Sequence, residues 1–384
     1  SRYRLSKALS CLILLGNRFM LKKYTALYYP KFRPLRSIVF MKQPFRFPYH
    51  TISLRNTSKF NGRLPMVLAT IVFLISACSG GSPPSKSYEY AVQGLYSAEL
   101  SANGEHAIVG SINHGGSLWD VLTNERRYNW NHKKGDFSKV IASAFSPELQ
   151  YAVTAKPQTM VLWDINSGQG LTYWKAPSQI LDIALLSNGD FALLGMTDHS
   201  AALFDIKNGG VRQTFYHDGP VNSVAYHADS NTILTGSDDY SARLWNVATG
   251  EELHRWTNTH EVQLVAFSDD GTKAFTMAKY HRAAIWNTDD GSLINQLPLK
   301  ASAMRRGQLF TAAVFSNDSS YLLTGNGNRL IQLWDVESMR EIKKWTTPRR
   351  NSASPTSASI LALAFGTNES YYAITSDGFT HQLR

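Results

Sequence analysis

From about residue 87 on, apolar and polar positions alternate in short runs. In one stretch, Val221–Tyr226, Thr232–Gly236, Ser241–Val247 and Glu252–Thr257 are rich in β-branched and aromatic residues, with turn formers between them. A period of two predicts four short strands there, and no stretch has the 3.6-residue period of a long amphipathic helix. The same pattern recurs. S-L-W-D-V at Trp119, V-L-W-D-I at Trp163, A-L-F-D-I at Phe204, R-L-W-N-V at Trp245, A-I-W-N-T at Trp286 and Q-L-W-D-V at Trp334 align at spacings of 44, 41, 41, 41 and 48 residues. A seventh copy, H-Q-L-R, ends the chain with Arg384 in the Trp position. Eleven residues after each aromatic stands another large apolar residue: Trp130, Trp174, Phe215, Trp256, Leu297 and Trp345. All nine tryptophans occupy one of these two positions, which makes them framework residues rather than a ligand platform. Gly168, Gly209, Gly250 and Gly291 each lie five residues after the aromatic, where a tight hairpin demands a positive φ.

A four-strand unit repeated about every 41 residues resembles the WD-repeat (tryptophan–aspartate) family of β-propellers. The resemblance covers residues 87 to 384 and implies an all-β fold: a seven-bladed propeller of four-stranded antiparallel blades. The fourth unit fits best, with His217, Thr235, Asp239 and Trp245 in the places that form a buried hydrogen-bond chain in that family. The other units hold Asn113, Pro157, Asp198, Tyr280, Asn328 and Gly378 in the Asp place, so apolar packing is expected to carry most blades. The last unit stops after its third strand. An open edge would result, so Tyr88–Gln93 is expected to return as its outer strand. The eleven-residue gap seen between units supports that placement.

Charge divides the chain. There are 39 Lys plus Arg against 29 Asp plus Glu, a net +10, but residues 1 to 77 hold 14 of the cations and no acid. The remainder is net −4, so the high pI does not point to a nucleic-acid partner. The apolar run M-V-L-A-T-I-V-F-L-I at 66–75 is too short to span a bilayer as a helix. With its basic flank it reads as a signal peptide, and I-S-A-C ending at Cys78, followed by S-G-G-S-P-P-S, looks like a bacterial lipobox and tether. The expected organisation is 1–77 upstream extension and signal, 78–86 flexible tether, and 87–384 propeller. A start at Met41 would give an ordinary basic region, so residues 1 to 40 are expected not to belong to the natural precursor. A mitochondrial presequence is the rival reading of the leader.

Catalytic motifs are not evident: no G-x-S-x-G, H-E-x-x-H, Walker loop or C-x-x-C occurs. The two cysteines, Cys11 and Cys78, have no metal-ligand spacing. Gly325-Asn326-Gly327 opens like a dinucleotide loop but sits between strands. Glu99 and Asp182 fall on inner strands and could face the channel as metal ligands, but they come from non-neighbouring units without a third carboxylate. His227, His254 and His281 read as surface residues. The three longest inter-unit connections are basic: His132-Lys133-Lys134, Met304-Arg305-Arg306 and Pro348-Arg349-Arg350. In a propeller they share one face. The reading is therefore a non-catalytic scaffold of a Gram-negative bacterium, without cofactor or metal. It is lipid-anchored through Cys78 in the outer membrane and faces the periplasm. Lys133, Lys134, Arg305, Arg306, Arg349 and Arg350 would bind a protein partner or anionic envelope component. The alternative is a propeller enzyme with its active site at the channel mouth; a soluble eukaryotic propeller is a third reading.

Overall fold

The computed structural model describes residues 81–384 apart from 187–188, 281, 300–308 and 352–356. The leader, Cys78, Arg305 and Arg306 lie outside the described residues. The rest forms seven four-stranded antiparallel sheets, six of them with their strands in chain order from the channel outward. Blades 1 to 6 span Leu95–Asn129, Ala142–Lys175, Ile180–Tyr216, Val221–Thr257, Val262–Gln296 and Phe310–Thr346. In blade 7, Ile360–Phe365, Tyr371–Thr375 and Phe379–Leu383 are joined by Lys86–Glu89 as the fourth strand. This is the all-β, seven-bladed propeller expected from the repeat. No helix among the described residues is long and apolar enough to cross a membrane.

The apolar core lies between blades, not within them. Seven clusters of buried side chains each draw on two neighbouring blades, as where Leu193 and Phe215 of blade 3 meet Val224 and Trp245 of blade 4. The two tryptophan sets serve this packing differently. Third-strand Trp163, Trp245, Trp286 and Trp334 each donate Nε1–H to a second-strand threonine hydroxyl in their own blade, at 2.8 to 2.9 Å. Fourth-strand Trp130, Trp174, Trp256 and Trp345 donate instead to a backbone carbonyl of the next blade: Gly168, Ile206, Gly291 and Arg384. The Asp or Asn after the third-strand aromatic caps the outer hairpin. Asp164, Asp205, Asn246 and Asp335 accept backbone N–H groups three residues on. The expected glycines then take positive φ, 71° at Gly168 and 76° at Gly250.

The closing strand starts two residues and ends four residues earlier than expected. The closing strand is Lys86–Glu89, not Tyr88–Gln93; Lys86 pairs with Gln382 and Glu89 with Phe379. Pairing ends where Tyr90 and Ala91 both donate to the Gly378 carbonyl, and Tyr90 turns inward to stack on Trp119 of blade 1. The register of blade 7 also moves by one. Ile360 opposite Thr375 matches Val221 opposite Ser237 of blade 4, so Leu383, not Arg384, falls in the Trp place. Leu383 is buried and Arg384 exposed, as burial demands. Asp377 likewise takes the Asp place, while Gly378 supplies the left-handed residue.

Candidate functional site

Strands alternate in direction, so the inter-blade connections and the second-to-third-strand turns share one face, called here the loop face. The remaining hairpins share the other, the turn face. The chain His217, Thr235, Asp239 and Trp245 sits just beneath the loop face in blade 4. His217 contacts Asp239 at 2.9 Å through Nδ1 and Thr235 at 2.7 Å through Nε2, and Trp245 donates to Thr235 at 2.9 Å. Buried among these groups, the His217 imidazole is held below its ordinary pKa by desolvation, against the pull of Asp239. The neutral ring therefore donates through Nδ1 and accepts the Thr235 hydroxyl at Nε2. Burial opposes ionisation of Asp239, but hydrogen bonds from His217, Ser241 and the Asp218 amide hold its carboxyl far below the usual range. Arg243, which the repeat pattern did not single out, completes the cluster. Its buried guanidinium donates to Asp239 at 2.7 Å and to the Tyr216 carbonyl at 3.1 Å. With every group satisfied, the cluster is architecture rather than acid–base machinery.

The polar chain is commoner than the Asp place indicated. His132, read from sequence as part of a basic loop, turns inward in blade 2. Its Nε2 meets Thr154 at 2.9 Å and its Nδ1 faces Thr159 at 3.4 Å. Burial, with Lys156 nearby, pushes His132 down to about 4. Blade 7 has a different polar link, in which His381, in the Arg243 place, joins Thr375 at 3.2 Å to Ser87 of the closing strand at 2.8 Å. His227 and His254 are not free surface groups either. Each ring bonds a carbonyl of the next blade, Asp269 and Asp289 respectively. His281 lies outside the described residues.

The central channel, about 550 Å³, is lined mostly by Ala, Leu and Val from the first strands. Glu99 and Asp182 both face it. Burial, with Asp182 nearby, pushes Glu99 up to about 8. Asp182 is raised by burial to about 6, against hydrogen bonds from the amides of Val224 and Ile183 at 2.9 Å. Asp182 thus ties blade 3 to blade 4. Among the described residues, no three His, Cys, Asp or Glu come together as a metal site. A protonated Glu99 is the one observation on the side of a channel-mouth enzyme. Asp182 shares the channel with it, but that carboxylate accepts from the Val224 and Ile183 amides.

The basic arc is smaller than the sequence implied. Arg350 is committed to ring closure. It donates to Glu89 at 2.7 Å and to the carbonyls of Ala91 and Asp377, both at 2.6 Å, and its guanidinium lies 4.6 Å from the Phe379 ring centre. It is a clasp rather than a binding residue. Lys133 makes a loose, exposed pair with Asp136 at 3.6 Å, which contributes little. Lys134 and Arg349 are exposed on the loop face, Arg349 beside a pocket of about 380 Å³. Sequence reading missed the aromatics. Tyr216, Tyr240 and Tyr280 form an exposed arc over blades 3 to 5, with His260 packed edge-on to Tyr280 at 4.8 Å. Phe137 and Tyr96 stand beside the blade 1–2 connection, and Lys139 sits 5.0 Å over the Tyr96 ring. Position along a strand gave no signal for them, since Phe310 and Phe315 are buried at strand ends while Tyr96 is exposed within a strand.

The profile of the WD domain, G-beta repeat family matches residues 209–246 and 306–335, in the third-to-fourth and sixth blades. No curated protein matches the chain. The chain carries WD40 repeats on a seven-bladed propeller. Propellers of this kind are typically non-catalytic scaffolds that bind protein partners.

Proposed function

We propose that this protein is a lipid-anchored scaffold of the cell envelope that holds a protein partner on its loop face. The lipid is carried on Cys78, which sends the protein to the outer membrane facing the periplasm. The observation that carries the scaffold reading is the group of large aromatics left in solvent on that face. Tyr216 and Phe137 are each 70 % exposed and Tyr280 61 %. Exposed tyrosine and phenylalanine on a rigid frame are what protein interfaces bury at their centres. Lys133, Lys134 and Arg349 flank them across the ring. An acidic partner segment suits such a rim.

Crosslinking and pull-down from membranes tests this reading. Replacing Tyr216, Tyr240 and Tyr280 together by Ser should cut partner capture at least about tenfold, since buried aromatic anchors govern dissociation. Replacing Lys134 and Arg349 by Glu should instead weaken capture mainly at low salt, where rim charges steer association. Full capture by the triple Ser variant, folded as judged by thermal unfolding, would move the site off the loop face.

A further inference from the structure

The chain enters the propeller at the outer edge of blade 6, one blade before the strand that closes the ring. Ser82 donates its amide to the Lys344 carbonyl at 2.9 Å and accepts the Thr346 amide at 3.0 Å, a parallel bridge onto the fourth strand of that blade, Glu341–Thr346. A Cβ at Gly81 would stand 2.7 Å from the Trp345 backbone, so glycine is needed for this approach. Ser85 then bonds the Gln382 carbonyl and the chain passes to blade 7. Residues 81 to 85, expected as part of a free tether, are therefore docked on the propeller rim. The parallel sense sets a direction. The fourth strand of blade 6 runs from the turn face at Glu341 to the loop face at Thr346, so Gly81 enters from the turn-face side.

From this entry point we infer that the rim of blade 6, around Ile342 and Lys343, is the side this protein lays against a lipid bilayer, with the loop face turned away. The inference rests on the proposed lipid at Cys78. Three peptide steps separate Cys78 from Gly81, a reach of about 10 Å when fully extended. A lipidated cysteine sits at the membrane surface, so the edge of blade 6 can stand no farther off than that leash. Ile342 is 49 % exposed there, Lys343 is exposed beside it, and Leu293 and Ile294 continue the apolar edge on blade 5. Such a mixed edge suits the headgroup boundary, where apolar tips are buried and lysines meet anionic lipid. Other rims also show apolar tips, such as Leu171 and Leu253. The docked entry, not the composition, selects blade 6.

The test uses the full chain, processed in Gram-negative cells, with a fluorophore placed by Ile342→Cys or, on the far rim, by Val211→Cys. Both positions are exposed, so neither change should disturb folding. Each protein is reconstituted in phosphatidylethanolamine–phosphatidylglycerol vesicles carrying a lipid-bound acceptor, and mass spectrometry reports on Cys78. Energy transfer should be several-fold stronger from residue 342 than from residue 211. Inserting a flexible Gly/Ser segment of about 20 residues after Gly80 should bring the two signals together. Lipid on Cys78 with equal transfer from both rims would overturn the orientation and leave the anchor standing. No lipid on Cys78 would overturn both.

Discussion

Blades 4 and 2 bury the same histidine in the same place and support it differently. In blade 4, Asp239 gathers His217, Arg243, Ser241 and the Asp218 amide around one carboxylate. In blade 2, Thr159 stands in the place of Ser241, 3.4 Å from His132 Nδ1 as Ser241 is from His217, and His132 Nδ1 has no carboxylate beside it. Both keep the inner link of Trp to Thr to His. Blades 5 and 6 keep only Trp to Thr. The chain is therefore built from the tryptophan outward. The tryptophan–threonine link joins the second and third strands of a blade, the histidine ties in the incoming connection, and the carboxylate adds charge that draws in a buried arginine. Each added layer raises the cost of losing one member.

That difference can be broken most forcefully at Asp239. Asp239→Ala strands both His217 and the buried Arg243, and should cost about 3 kcal/mol, as removing one partner of a buried ion pair does. Thr159→Ala in blade 2 should cost less than about 1 kcal/mol. Chemical denaturation of the two variants compares them directly, and equal losses would erase the distinction between the blades.

A smaller effect lies in pH. His132 has a folded pKa near 4, well below its ordinary value of 6.5. The unfolded chain takes up the proton first as pH falls, so stability is complete above about 6.5 and is lost between there and 4. At pH 5 the loss should be about 2 kcal/mol relative to pH 7.5. His132→Gln should remove this component, read as the difference between the two denaturation–pH curves. If the curves stay parallel, His132 is not buried in its neutral form.

The finest adjustment converts one blade toward the other. Thr159→Asp places a carboxylate facing His132 Nδ1 and should raise the His132 pKa by roughly one unit, visible in its NMR titration. Stability near neutral pH should change by less than about 1 kcal/mol. A pKa that does not move would mean that the geometry of the turn, and not the missing charge, separates blade 2 from blade 4.

Much of the fold was readable because its framework uses a rare residue at fixed intervals. Tryptophans eleven residues apart mark the third and fourth strands, and the blade 4 strand boundaries agree with the structure to within a residue. Contacts between distant parts of the chain were not readable. Arg350 looks like any exposed loop arginine until Glu89, 261 residues away, is brought beside it. His132 reads as one of three basic residues until the backbone turns it under Thr154. The one-residue slip at Leu383 has a similar cause. H-Q-L-R matches the repeat pattern by side chain, but the register is set by backbone pairing at Ile360 and by the left-handed Gly378. The exposed aromatics escaped because an aromatic at a strand end looks the same in sequence whether it packs inward or out.

The closing strand also has a consequence in time. Lys86–Glu89 leaves the ribosome before the other described strands, yet its partner Phe379–Leu383 follows almost 300 residues later. Until then Lys86–Glu89 has no partner strand, and the ring stays open. Blade 7 cannot complete itself early, since its outer strand and its Arg350 clasp act together only once Phe379–Leu383 has been made. Contacts this far apart in sequence are slow to form, and unpaired strand edges are exposed meanwhile to other chains. Completion of blade 7 thus requires every strand between Lys86 and Leu383 to have been made. A chain cut short by even its final strand would keep six blades' worth of repeats and never become a closed ring.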